Sequence, residues 1–207
     1  MKRATLILGL AVLLCGATGA QATPIKITYT ITATATGTLG TQPFTDALVT
    51  IEFVGDPSKA HLGAPAAHLW VNSGTGTVTI AGVGTATFTP GPVAFDDQGG
   101  VPHSCSHHPC YAGISFGTGG STILGDIHTD FLTYNLKTAT GPVSGTAVIN
   151  PTFTAGTSLG GLTFSSVGAT STFTATTGTT TIPEPGSLIF VSTGLLSLIG
   201  FVRRRLS

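Results

Sequence analysis

Charged side chains are scarce in this chain, and arginine is absent between residues 23 and 181. Asp, Glu, Lys and Arg together make up only 8% of the 207 residues. The central part has three lysines (Lys26, Lys59 and Lys137) against seven acids. Nucleic-acid binding needs a basic surface that contacts phosphates, so this composition excludes it. A neutral chain rich in threonine and glycine is typical of secreted bacterial β-proteins, whereas cytosolic enzymes have about one charged residue in four.

Signatures of nucleotide and cysteine chemistry are also missing. No phosphate-cradling glycine loop precedes a helix, and outside residues 1–22 the chain has two cysteines, which stand close together. Seven acids leave paired carboxylates of the glycosidase kind open, because sequence does not show which acids converge. These observations favour a protein that is not an enzyme and needs no cofactor.

Alternation of apolar and polar residues predicts β-strands across residues 23–181. In Ile25–Thr36 one side carries Ile, Tyr and Ala and the other carries Lys and Thr, the period-two pattern of a half-buried strand. His61–His68 is less regular and is interpreted as a loop or a short turn of helix, and Val93–Cys110 is interpreted as a long loop between strands. Further strands are predicted at Ala47–Val54, Thr77–Ile80, Thr85–Thr89, Tyr111–Phe116, Thr122–Leu136, Val143–Phe153, Leu162–Val167 and Thr170–Thr177. About eight antiparallel strands predict an all-β sandwich or jelly roll over residues 23–175, followed by a threonine-rich linker at 176–181.

The two ends of the chain differ from the middle and predict targeting segments. Lys2 and Arg3 precede the apolar run Leu6–Leu14, and small residues follow up to Ala22, so residues 1–22 have the pattern of a secretory signal peptide. At the other end, the apolar run Leu188–Val202 predicts a transmembrane helix at about residues 187–202. Three arginines follow it and would hold that end on the cytoplasmic side: Arg203, Arg204 and Arg205.

The box Pro183-Glu184-Pro185, followed by the apolar run and the arginines, resembles the PEP-CTERM sorting signal of Gram-negative bacteria that make exopolysaccharide. This C-terminal domain also has a name that links it to ice-binding proteins. The resemblance covers residues 182–207 alone. It implies anchoring in the inner membrane and then processing near the box by an exosortase, with the cell surface or extracellular matrix as destination. The alternative is an ordinary membrane anchor behind a linker that contains two prolines.

The densest group of reactive side chains lies between residues 103 and 110. An exported protein meets an oxidising compartment, so Cys105 and Cys110 most simply form a disulfide that closes a small loop. The alternative is a zinc or copper site in which the thiolates act with His103, His107 and His108. The spacing matches none of the usual two-cysteine knuckles.

A second polar group consists of Asp126, His128 and Asp130, which share one face of the predicted strand, while Ile127 and Phe131 point to the core. Two carboxylates beside an imidazole could hold a divalent cation or orient a general base. The alternative is the solvent-facing side of a strand. The segment Asp96–Gly100 has some character of a calcium loop, but it lacks oxygens at alternate positions and is more simply a turn.

The expected function is that of an exported cell-surface or exopolysaccharide-matrix protein with a structural or adhesive role. Its expected partners are the Sec translocon, signal peptidase, an exosortase and exopolysaccharide. Trp70 and Tyr111 are candidates for stacking on sugar rings. One alternative is a surface hydrolase or metal-dependent enzyme that uses His128 or residues 103–108. The other is an ice-binding protein, suggested by the alternating threonines from Thr28 to Thr36, although strand twist opposes the flat face that this needs.

Overall fold

The computed structural model describes residues 24–65, 68–99, 109–115 and 121–179, and Pro24–Gly178 form one compact unit. Short 3-10 helices lie at Pro57–Lys59 and Thr129–Thr133. The strands are β1 Pro24–Leu39, β2 Gln42–Gly55, β3 His61–Ala64, β4 Leu69–Ile80, β5 Gly84–Thr87, β6 Val93–Asp97, β7 Tyr111–Ser115, β8 Thr122–Ile127, β9 Thr140–Val148, β10 Ala155–Thr157 and β11 Gly160–Thr179.

The sheet closes on itself. Its strands follow the order β1-β2-β4-β6-β7-β8-β9-β11, and β11 also pairs with β1, so the first and last of these strands are neighbours. Strands β3 and β5 pair with β4, and β10 pairs with β11, outside this ring. The predicted sandwich or jelly roll is therefore wrong, because the fold is a closed eight-stranded β-barrel. A sandwich leaves strand edges open, whereas pairing of the first strand with the last removes them.

Close approach of β1 and β11 completes the ring. The Thr38 and Thr163 hydroxyls are 2.8 Å apart, and the Ser165 hydroxyl donates to the Thr36 carbonyl at 3.2 Å. A Cβ at Gly37 would overlap the carbonyl of Thr163, so glycine is required at this position. The β1–β2 register shifts between Ala35 and Gly37, and such a bulge bends a strand toward barrel closure.

Alternate residues of each strand fill the interior of the barrel. The interior of β1 and β2 is apolar along most of its length, and fully buried examples are Ile27, Tyr29, Ile31, Val49, Ile51 and Phe53. Burial of each such side chain contributes about 1.5–3 kcal/mol. A second, smaller apolar cluster includes Leu69, Val71 and Phe95, with Ala64 and Tyr111 packed against it.

The period-two pattern predicted some elements well. The predicted strand Thr77–Ile80 lies within β4 and the predicted strand Thr85–Thr89 corresponds to β5 as far as Thr87, and the two strands pair with Thr79 opposite Thr85. The predicted loop Val93–Cys110 was wrong at its start, because Val93–Asp97 is strand β6 and pairs with both β4 and β7. The segment His61–His68, interpreted as a loop or a short turn of helix, contains strand β3. Short or fully paired strands of this kind show too little alternation to be recognised.

Other differences concern where strands end. The predicted strand Thr122–Leu136 stops at Ile127, because His128 begins a 3-10 helix. The strands predicted at Leu162–Val167 and Thr170–Thr177 are one continuous strand, β11. This strand runs to Thr179, so the first residues of the predicted linker 176–181 belong to the barrel.

Residues 128–138 cross one end of the barrel and are called the cap below. The 3-10 helix packs against β6 and β7. Phe131, Tyr134 and Leu136 point into the interior, with exposures of 1%, 7% and 0%. The rings of Phe131 and Tyr134 lie 5.4 and 6.0 Å from the ring of Phe173 on β11. The cap therefore plugs this end with side chains.

Within the described ranges, no helix is long and apolar enough to cross a membrane. The predicted signal peptide (residues 1–22) and transmembrane helix (about residues 187–202) lie outside these ranges.

Candidate functional site

Polar residues stand inside the barrel just below the cap. Asp96, Asp126 and Asn72 all have an exposure of 0%. Asp96 lies opposite Ala112 on β7, and Ala112 lies opposite Asp126 on β8. The Cα atoms of the two acids are therefore about 10 Å apart, twice the spacing of neighbouring strands, with only a methyl group between them. Burial of two carboxyl groups in a closed interior costs free energy unless each is neutral or hydrogen-bonded.

The pKa of the Asp96 carboxyl is raised to about 9, mainly by burial. The side chain of Gln98 opposes this rise, and the charge of Asp97 adds to it. Among the residues that the structure describes, none forms a hydrogen bond of good geometry with either Asp96 oxygen. The Gln98 side chain donates instead to the backbone carbonyl of Tyr134 at 2.5 Å. Asp96 is therefore a neutral carboxylic acid at neutral pH, directly beneath the cap.

Burial also raises the pKa of Asp126, to about 6. The charge of His128, the backbone of Gly145 and Phe173 and the Ser171 hydroxyl each lower it. These groups lie near the carboxyl without forming a well-aligned hydrogen bond, and the Ser171 hydroxyl donates to the Gly125 carbonyl at 3.2 Å. Asp126 is thus ionised at neutral pH and takes up a proton in mild acid.

A short hydrogen-bonded chain connects the barrel wall to the cap. The Asn72 side-chain nitrogen donates to the Tyr29 hydroxyl at 2.8 Å, and that hydroxyl donates to the Leu136 carbonyl at 2.6 Å. Leu136 has a φ of 60°, in the left-handed region that bulky residues rarely adopt. The Tyr29 hydroxyl therefore holds a strained backbone in place, at a conformational cost of about 1–3 kcal/mol.

The predicted face of Asp126, His128 and Asp130 is not formed. Asp126 points into the barrel and Ile127 is only half-buried, the reverse of the prediction. His128 Nδ1 accepts a hydrogen bond from the Asp130 backbone N–H at 3.2 Å and lies 3.4 Å from its carboxylate, whose side chain is 64% exposed. Strand β8 ends at Ile127, so His128 and Asp130 belong to the 3-10 segment and share no strand face with Asp126. Phe131, which was also predicted to point to the core, is buried.

In the segment Asp96–Gly100, which was compared with a calcium loop, the structure shows the end of a strand and a turn. Asp96 belongs to β6, and the Asp97 carboxylate accepts a hydrogen bond from the Gly99 N–H at 2.9 Å, as in an Asx turn. Among the described residues, no group of three His, Cys, Asp or Glu side chains could hold a metal ion.

Several predicted site residues lie outside the described ranges. These are Cys105, His103, His107 and His108, the sorting box Pro183, Glu184 and Pro185, and the tail Arg203, Arg204 and Arg205. Cys110 is described and buried. Its disulfide with Cys105, and the alternative metal site, stay predictions.

The two proposed stacking rings already have partners inside the protein. The Lys137 ammonium lies 5.0 Å from the centroid of the Trp70 ring. The Tyr111 ring packs edge-on against Phe95, with 5.0 Å between centroids. These contacts weaken the case for sugar stacking by either ring.

Gly113–Gly117 has the pattern Gly-x-Ser-x-Gly, which in hydrolases marks a nucleophile on a strand-to-helix turn. Here Ser115 is 3% exposed and pairs with strands on both sides, opposite Val93 of β6 and Thr122 of β8. A residue held within a sheet does not present its hydroxyl at an exposed turn, so the arrangement does not support a nucleophile.

The outer side of β1, β2, β4 and β5 carries an ordered set of hydroxyl groups, called the threonine face below. Cross-strand pairing aligns four threonines in one row, Thr32, Thr50, Thr79 and Thr85. The neighbouring row contains Thr30, Glu52, Thr77 and Thr87. The Thr79 and Thr85 hydroxyls are 2.9 Å apart. The predicted alternation of β1 thus becomes a two-dimensional array on the folded barrel.

Comparison of the chain with protein-family models, curated proteins and solved structures gives no match.

Proposed function

We propose that this is an exported, non-enzymatic protein of the cell surface or exopolysaccharide matrix, and that the threonine face is its adhesive surface. The threonine face is the observation that carries the proposal. Its hydroxyl groups repeat about every 4.8 Å across the strands and about 6.7 Å along them. The signal-peptide pattern and the resemblance of residues 182–207 to a sorting signal support the destination.

Hydroxyl groups suit a neutral, hydroxylated ligand. Each donates one hydrogen bond and accepts others, so a row of threonines can follow a polysaccharide chain without a charge match. Each hydrogen bond contributes only about 0.5–1.5 kcal/mol in competition with water. Adhesion would therefore depend on many copies of the barrel along one polymer.

Affinity electrophoresis of the full chain through gels that contain exopolysaccharide from the producing strain tests the adhesive role. The triple substitution Thr32→Val, Thr50→Val and Thr79→Val removes hydroxyl groups and keeps side-chain shape. We expect it to abolish most of the retardation. The matched control changes Thr146 and Thr170, which pair on β9 and β11, to Val. Equal retardation of the triple variant, the control and the wild type would contradict the proposal.

Processing tests the destination separately. Glu184→Ala should leave the chain unprocessed in the inner membrane if residues 182–207 act as an exosortase signal. Ser187→Ala, just beyond the box, is the control and should be processed normally. Normal processing of Glu184→Ala, or of the wild type in a strain without exosortase, would show that the segment is an ordinary anchor.

Ice binding is a second candidate, favoured by the alignment of threonines across four strands rather than along one. The same variants distinguish it from adhesion. Thermal hysteresis that the wild type shows and the Val triple variant loses would favour ice binding, and its absence from the wild type would exclude it.

A further inference from the structure

Besides the buried side chains of Phe131, Tyr134 and Leu136, a few polar contacts with other described residues join the cap to the barrel wall. The Tyr29 hydroxyl donates to the Leu136 carbonyl, and the Gln98 side chain donates to the Tyr134 carbonyl. At the start of the cap, the His128 N–H donates to the Cys110 carbonyl at 3.1 Å. Farther along, Lys137 covers the ring of Trp70. Two of these contacts involve residues near Asp96, because the Gln98 side chain lowers the pKa of Asp96 and Trp70 lies opposite Asp96 on β4.

We propose that the cap is a pH-operated closure, which seals this end of the barrel while Asp96 and Asp126 are neutral and loosens when they ionise. Both carboxyls are fully buried, and neither has a well-aligned hydrogen bond from the described residues that would stabilise a charge. An ionised carboxylate in such a place must acquire donors or water. The cap is the element directly above the two acids.

Gln98 provides the connection between Asp96 and the cap. Its amide lowers the pKa of Asp96 and at the same time donates to the Tyr134 carbonyl. Hydrogen bonds to charged acceptors are about twice as strong as neutral ones. An ionised Asp96 therefore attracts the Gln98 amide more strongly, and movement of that amide toward Asp96 weakens its hydrogen bond to the cap. The left-handed backbone at Leu136 favours release once a tether is lost.

The groups around the two acids define the electrostatics of this closure. Asp96 faces Tyr134 from the cap, and Asp97 stands beside it on β6. Asp126 is near His128, which is paired with Asp130. Lys137 lies over Trp70, the residue opposite Asp96 on β4. Burial raises the pKa of Tyr29 and of Tyr134 above the usual range, so these two tyrosines stay neutral.

Trp70 is the single tryptophan of the chain and reports on the cap, because Lys137 covers its ring. We expect acrylamide quenching of Trp70 fluorescence in the full chain to rise roughly twofold or more between about pH 5 and about pH 9. Relative to the intrinsic exchange rate, which itself rises with pH, the protection of peptides from residues 128–138 should fall over the same range, while β1 peptides keep their protection.

Asp96→Asn and Asp126→Asn test the cause, because Asn resembles a neutral carboxyl and does not ionise. Each single variant should remove part of the pH response, and the double variant should remove it entirely. Lys137→Arg keeps a cation over Trp70 and should respond like the wild type. Asp46→Asn, at an exposed position near the start of β2, is the matched control and should also respond like the wild type. A flat response in the wild type, or an unchanged response in the double variant, would overturn the proposal.

Discussion

Replacing Asp96 with Asn should remove a large pH dependence from the stability of this barrel. Asp96 is fully buried on β6 and has no well-aligned hydrogen-bond partner among the described residues. In the unfolded chain the same carboxyl is solvated and ionises in the ordinary way. The folded and unfolded states therefore bind a different number of protons over a wide pH range.

The direction follows from the raised pKa. The Asp96 pKa is about 9 in the folded barrel, against an ordinary value of 3.8. The stability that neutral Asp96 contributes is fully present below the pKa of this carboxyl in the unfolded chain, and it is lost as the pH rises through the pKa in the folded barrel. Each pH unit in this window costs about 1.4 kcal/mol, so the loss between pH 4 and pH 7 is about 4 kcal/mol. Small domains have a net stability of about 5–15 kcal/mol, so this loss is large.

Urea unfolding of the full chain at several pH values measures the effect. The Asp96→Asn variant should match the wild type near pH 4 and exceed its free energy of unfolding by up to about 4 kcal/mol at pH 7. Asp46→Asn, which changes an exposed acid, should keep the wild-type pH slope. A difference between Asp96→Asn and wild type that does not change with pH would refute the reasoning, because it would show that Asp96 is not buried as a neutral acid.

Three further predictions concern the same region. Asp126→Asn should remove a smaller loss of stability, of the same sign, that develops as pH rises through the folded pKa of about 6 and levels off above it, as urea titrations on either side of that pH would show. Tyr29→Phe should lower the free energy of unfolding by about 1–3 kcal/mol, because it leaves the Asn72 amide and a cap carbonyl without partners; an unchanged denaturation midpoint would contradict the described hydrogen bonds. Gly145→Ala should lower the melting temperature, because the added Cβ would overlap a carbonyl of β8 and the Asp126 carboxyl. Gly178→Ala should leave the melting temperature unchanged, because no heavy atom lies within 4 Å of the added Cβ. Equal melting temperatures for these two glycine variants would contradict the packing described for β8 and β9.

The strands could be predicted because alternation is a local property. Ile27, Tyr29 and Ile31 alternate with threonines, and all three are inside the barrel. The strands on either side of residues 81–83 were predicted in the same way. Closure of the sheet could not be predicted, because the β1–β11 pairing joins segments far apart in the chain. Strands of a sandwich and of a barrel both bury one face and show the same alternation.

The residues of the candidate site could be predicted even less well than the closure of the sheet. Asp126 was expected among exposed polar residues and Asp96 in a turn, since single acids are rarely buried. The structure instead places both in the barrel interior, on strands that flank β7. Gln98 carries no local signal for its contact with Tyr134, because the two residues meet only when the cap crosses the barrel end. In the same way, the threonine rows depend on the register between neighbouring strands.

By itself, the amino-acid sequence determined that the central part is all-β, which residues of β1 face inward, and that the composition does not suit nucleic-acid binding. It also supplied the predicted targeting segments. The tertiary structure decided that the sheet closes, that two carboxyl groups are enclosed under a cap, and that threonines from four strands form one surface. The physical reason is that side-chain alternation arises within a strand, whereas closure, burial of an acid and cross-strand rows arise from long-range pairing.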